Sequence, residues 1–135
     1  MSLSVQDLLT SSGKYPDRAQ SPELTTELRA NAEDLIKRVN NLLAAIWRAD
    51  VKISSGFRTA AANGALANSA KKSYHMTCKA CDISDPKGEL KAAILANPQV
   101  LQDFGLWLES PEATPGWCHL DCGIRSPRTP RVFKP

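Results

Sequence analysis

The sequence predicts an α+β fold in which one small, mostly antiparallel sheet packs against helices. Three observations point there. Apolar residues recur every three or four positions at Leu28, Ala32, Leu35, Val39, Leu42 and Ile46, which draws one stripe down one long helix. Several short apolar segments elsewhere are bounded by Gly, Pro and Ser, as strands are. The chain has 135 residues, enough for one core that buries roughly two-thirds of the unfolded surface, and it shows neither an internal repeat nor a second domain.

Taken in order, residues 5–9 suit a short helical turn, followed by a loop rich in Ser, Gly, Pro and Asp up to about residue 20. The long helix is expected to open at Ser21, because Ser caps, Pro22 suits the first helical position and Glu23 favours the positive end of the helix dipole. A strand is expected at 51–53, broken by Ser54-Ser55-Gly56, and an Ala-rich helix at 59–67. Residues 79–84 read as a strand, Pro86 opens a helix that runs to Ala96, and Pro98 punctuates it. Two further strands, 105–109 and 117–122, flank a loop with Pro111, Pro115 and Gly116. The Pro-rich tail from Arg125 is expected to lie across the surface.

Composition excludes several classes of function. Hydrophobic residues make up 42% and charged residues 23%, as in ordinary globular domains, and no apolar run nears the roughly 18 residues a spanning helix needs, so no membrane role is expected. A net charge of +3 is a weak hint of an anionic partner. Nucleic acid is disfavoured, because aromatics are only 6% and no basic run is interleaved with them. The first residues lack a basic segment followed by an apolar one, so synthesis in the cytoplasm without a signal peptide is expected, with a monomer as the default state.

Only two histidines occur, and with one aspartate they can supply a metal site. Zinc takes imidazole nitrogen and carboxylate oxygen, and a catalytic site offers three such ligands while leaving a fourth position open. His75, Asp82 and His119 form such a set. Strand alternation puts Trp117, His119 and Asp121 on one face, with Cys118, Leu120 and Cys122 on the other. In a hairpin of 105–109 with 117–122, Glu109 and Trp107 share the face of His119, which sets a free carboxylate within one diagonal step of it. The competing readings are two structural histidines and a four-thiolate zinc site at Cys78, Cys81, Cys118 and Cys122. Alternation opposes the latter, since Cys81 and Cys118 point away from Asp82 and His119. Free core thiols or one or two disulfides, with Cys81 and Cys118 the nearest pair, are the remaining fates.

Three blocks carry a family resemblance: Ser54-Ser55-Gly56-Phe57-Arg58, then Ser73-Tyr74-His75 with Ala80-Cys81-Asp82, then Trp117-Cys118-His119. They resemble the signature blocks of the zinc D-Ala-D-Ala carboxypeptidase family, whose relatives include phage endolysins and, more remotely, the Hedgehog signalling domain. The closing Arg131-Val132-Phe133-Lys134-Pro135 is similar to phage and prophage members. The resemblance implies a Hedgehog/D,D-peptidase-like fold, zinc on His75, Asp82 and His119, and metal-assisted hydrolysis of peptidoglycan stem peptides, as carboxypeptidase or endopeptidase. The chain would then meet the cell wall after release or as a virion component. Arg58 is expected at the substrate, where a guanidinium binds a carboxylate or a developing oxyanion, with Ser73 and Trp107 as further contacts. Many relatives have Gly where this chain has Cys78, and many place the base three to five residues before the last ligand, where this chain has Thr114, Pro115 and Gly116. Glu109 is therefore the first choice for the base, with Asp121 and Glu112 behind it. Without a base, the alternative is a non-catalytic zinc-binding wall or virion module.

Overall fold

In a computed structural model, which describes residues 2–66 and 73–135, five short strands form one sheet in the order β1-β2-β4-β3-β5. The strands are β1 (Ile53–Ser55), β2 (Ala80–Ser84), β3 (Trp107–Glu109), β4 (Trp117–Asp121) and β5 (Val132–Phe133). All neighbours pair antiparallel except β3 with β5, which is parallel. The helices are α1 (Val5–Thr10), α2 (Thr26–Ala45), α3 (Ala60–Gly64), α4 (Glu89–Ala96) and α5 (Gln99–Asp103). The fold is α+β, as the sequence predicts.

The long helix follows the predicted stripe: Ala32, Leu35, Val39 and Leu42 are fully buried, in one core with Ile83, Leu108, Leu120, Cys81 and Cys118. Each methylene removed from water there contributes about 0.8 kcal/mol. Its start differs from expectation. The cap is Thr25, whose hydroxyl accepts from Leu28 N–H at 3.1 Å, not Ser21. Residues 21–24 form a turn instead, which buries Leu24 and frees the Glu23 carboxylate to accept from Ala60 N–H at the start of α3. At its far end α2 closes with paired bonds from Trp47 N–H to Ala44 and from Arg48 N–H to Leu43. Trp47 thus occupies, at φ 60°, the left-handed position that usually falls to glycine, and its side chain is 93% exposed.

The first strand lies two residues later than predicted, so Ser54 and Ser55 belong to it. Its open edge explains how: Ser11 and Ser12 hydroxyls accept from the N–H groups of Gly56 and Ile53 at 3.0 Å each. Gly56 is required where it stands, because a Cβ there would lie 2.0 Å from the Leu8 carbonyl oxygen. The predicted helix at 59–67 is found as Ala60–Gly64 behind Thr59, while Ala67 lies outside the described residues. The helix expected from Pro86 starts at Glu89, after a turn in which Asp85 accepts from Leu90 and Lys91 N–H. Four short pieces escape prediction, namely α5 and the 3-10 turns Pro16–Gln20, Tyr74–Thr77 and Pro111–Ala113. No helix among the described residues is long and apolar enough to cross a membrane.

The tail is the largest correction. Beyond lying on the surface it adds β5 to the sheet, with Leu108 N–H donating to Arg131 O at 2.8 Å and Ser110 N–H to Phe133 O at 2.7 Å. A two-residue strand flanked by prolines carries almost no periodicity, so nothing local announces it.

Candidate metal centre

The central strands deliver two of the three predicted ligands. In the β2–β4 register Asp82 stands opposite His119, so both side chains rise from the same face of the sheet. His75 arrives from the 3-10 turn Tyr74–Thr77, which Ser73 caps by accepting from His75 N–H at 3.2 Å. His119 Nδ1 lies 2.8 Å from Asp82 Oδ1, and His75 Nε2 lies 3.4 Å from Asp82 Oδ2. One ligand atom from each of the three lies within 4.8 Å of the others, a group among the described residues that could hold a metal. Two imidazoles and a carboxylate are a donor set that zinc accepts, so the residues present fit the ion.

Each imidazole is steered by a partner behind it. His75 Nδ1 is 2.9 Å from the Gly56 carbonyl oxygen, an acceptor that fixes the N–H at Nδ1 and leaves the Nε2 lone pair facing Asp82. His119 Nε2 is 2.7 Å from Asp121 Oδ2, which leaves Nδ1 to face Asp82. Asp121 is fully buried, and Arg125 grips it through both terminal nitrogens, with Nη2 to Oδ2 at 3.0 Å and a closer contact from Nη1 to Oδ1.

Burial alone would lower the His119 pKa, but hydrogen bonds to Asp121 and Asp82 overcome it and raise it to about 9. Burial would conversely raise Asp82 and Asp121, yet their hydrogen bonds to His119, joined by His75 at Asp82 and Arg125 at Asp121, hold both below the ordinary carboxylate range. Both aspartates are therefore anionic at neutral pH, and a cation that binds Nδ1 of His119 displaces a proton from it.

Of the other predicted residues, Arg58 reaches the centre: Nη2 is 3.6 Å from Asp82 Oδ2, and Nε donates to Ser55 Oγ at 3.2 Å. Burial lowers its pKa, with Asp82 acting against the shift. Glu109 sits half-buried on the same face, since the β3–β4 register pairs Trp107 with Asp121 and Leu108 with Leu120, and its continuation sets Glu109 opposite His119. Burial raises the Glu109 pKa, while nearby His119 pulls it down. Asp121 has every oxygen engaged, and Glu112 is exposed on the 3-10 turn beyond β3. Ser73 is tied to the placement of His75. Trp107 is 7% exposed, with its indole N–H on the Gly123 carbonyl at 3.0 Å and Arg131 stacked 4.1 Å from its ring centre, so it lies beneath the tail. Thr114 is buried with its carbonyl held by Lys91, so the loop at 114–116 brings no acid or base to the centre.

The four cysteines are free thiols, and Cys81 and Cys118 face the core as alternation predicts. Burial pushes Cys78 up to about 12 and raises the other three, and the group among the described residues that could hold a metal is His75, Asp82 and His119 with no thiol in it. Sequence reasoning missed Arg125, Phe133 and the Gly56 carbonyl. Gly56 stands in the first signature block and Phe133 in the closing segment, but neither resemblance assigns them a part in steering a histidine.

A family model described as Peptidase M15 matches residues 2–121. The chain belongs to the peptidase M15 family. It is thus a metallopeptidase of the zinc D-Ala-D-Ala carboxypeptidase type, with a His-Asp-His group able to hold the metal of that family. No curated protein and no solved structure matches this M15 chain well enough to count as a relative. The matched span ends at Asp121, so Arg125 and Phe133 lie beyond it.

Proposed function

We propose that this M15 peptidase holds zinc on His75, Asp82 and His119 and hydrolyses stem peptides of bacterial peptidoglycan, as a D,D-carboxypeptidase or endopeptidase. The convergence of the three donor groups beside a half-buried guanidinium and a half-buried carboxylate is the observation that carries this reading. When bound there, zinc supplies Lewis acidity and acidifies water. Arg58, fixed by Ser55 and Asp82, offers its remaining N–H donors to a substrate carboxylate or to a developing oxyanion. Glu109 takes a proton from the attacking water and returns it to the leaving amine, a task that suits a half-buried carboxyl whose strand register sets it opposite His119. The similarity of the closing segment to phage members fits an enzyme that meets the wall after release or as part of a virion.

The test uses purified chain loaded with zinc, incubated with intact peptidoglycan and with a soluble peptide ending in D-Ala-D-Ala, with released fragments resolved by chromatography. Cleavage by wild type is expected, with Glu109→Gln slower by about 10²–10⁴-fold at unchanged zinc content. Release of nothing by zinc-loaded wild type overturns the enzymatic reading and leaves a zinc-binding wall module.

A further inference from the structure

We propose that the segment at 123–133 is a clasp that positions His119, with Arg125 as its working residue. The proposal rests on the reading of His119 as a metal ligand. It concerns residues beyond the span that matches the family.

Asp121 is the pivot. Its side chain has no exposed surface, so both of its oxygens must find their partners within the protein. Oδ1 accepts from Gly123 N–H at 3.0 Å and from Arg125, while Oδ2 accepts from Arg125 at 3.0 Å and meets His119 Nε2 at 2.7 Å. A two-pronged guanidinium fixes the carboxylate plane as well as its charge, which a single contact cannot do. That plane in turn fixes the ring of His119, and hence the direction of Nδ1 toward Asp82.

Arg125 is itself held in place from several sides. Its guanidinium lies 4.0 Å from the ring centre of Phe133 on β5, and 5.4 Å from the rings of Tyr74 and Trp107. Phe133 also presents its ring to His119, 6.1 Å between centres at 80°. The start of the segment is locked to the other histidine's turn: Tyr74 Oη donates to Ile124 O at 2.8 Å, and a Cβ on Gly123 would fall 2.2 Å from the Tyr74 ring. The clasp thus ties His75's turn, His119 and β3 into one unit through the Arg125–Asp121 pair and the Tyr74 contacts beside it.

The decisive measurement is the zinc dissociation constant of the full chain by chelator competition, for wild type, Arg125→Met, Arg125→Lys and Asp121→Asn. With only two histidines present, ring nitrogen NMR of each protein also reports the His119 tautomer directly. Arg125→Met, which keeps an apolar stem over Phe133, should weaken zinc about 10–100-fold and blur the His119 signals while those of His75 persist. Arg125→Lys should recover part of the loss, and adding Arg125→Met to Asp121→Asn should cost little more than Asp121→Asn alone. Should Arg125→Met not fold, Arg125→Lys carries the same comparison, with a weaker zinc complex expected. Zinc bound by wild type and by a folded Arg125 variant within twofold, with unchanged His119 signals, overturns the clasp alone. A wild type that binds no zinc overturns the metal reading and the clasp with it.

Discussion

His75 leans on a neutral acceptor, the Gly56 carbonyl, whereas His119 leans on the buried carboxylate of Asp121 with Arg125 behind it. Both partners set the orientation of a ring, but only the second adds charge. A carbonyl makes its ring a ligand of set direction, while a carboxylate also makes its ring more basic and a stronger donor to a cation. The centre is therefore asymmetric: one side is held by backbone packed against α1, the other by an ion pair closed by the tail. Which side is disturbed should decide whether zinc affinity or fold stability changes first.

The largest expected effect exploits the charged side. Because His119 is raised to about 9 in the metal-free protein, zinc must displace its proton below that pH, so affinity should fall as pH drops through 9. One proton corresponds to about tenfold per pH unit well below the break, or about fiftyfold between pH 9 and 7, readable by zinc titration at fixed ionic strength. Next, Asp121→Asn should weaken zinc about 10–100-fold above pH 9, where no proton competes for His119, and move that break to lower pH, whereas equal curves for variant and wild type would show that the two sides are alike after all.

On the neutral side, Gly56→Ala forces a Cβ against the Leu8 carbonyl, with an expected loss of about 1–3 kcal/mol in thermal or denaturant unfolding of the metal-free chain. The smallest effect belongs to Ser73→Ala, which removes the cap of the turn that carries His75. About 1 kcal/mol of stability should go, with zinc affinity changed only a few-fold.

The same asymmetry governs what the amino-acid sequence reveals. Alternation in 117–122 is a local rule, and it correctly sets His119 and Asp121 on one face with Cys118 and Leu120 behind them. The stripe on α2 is legible for the same reason, since burial on one helix face imposes its own period. Short pieces such as β5 and α5 escape because they hold too few residues to express a period. The α2 start was misplaced because Ser21 and Thr25 both make competent caps, and the choice turned on burial of Leu24 and on Glu23 reaching Ala60, contacts between distant segments. Likewise the role of Asp121 as the partner of His119, and not a free base, depends on Arg125 folding back across the face. Glu109 was legible as a neighbour of His119 because a hairpin register extends by counting.

Trp47, standing in water at the end of α2, gives the molecule a built-in optical contrast. Its emission should be red-shifted and readily quenched by iodide, while that of Trp107, shut beneath Arg131 and bonded to Gly123, should be blue-shifted and shielded. A chain in which Trp47 and the half-exposed Trp117 are both replaced by Phe would keep Trp107 as its one tryptophan, so that loosening of the residues around it could be followed by fluorescence in real time.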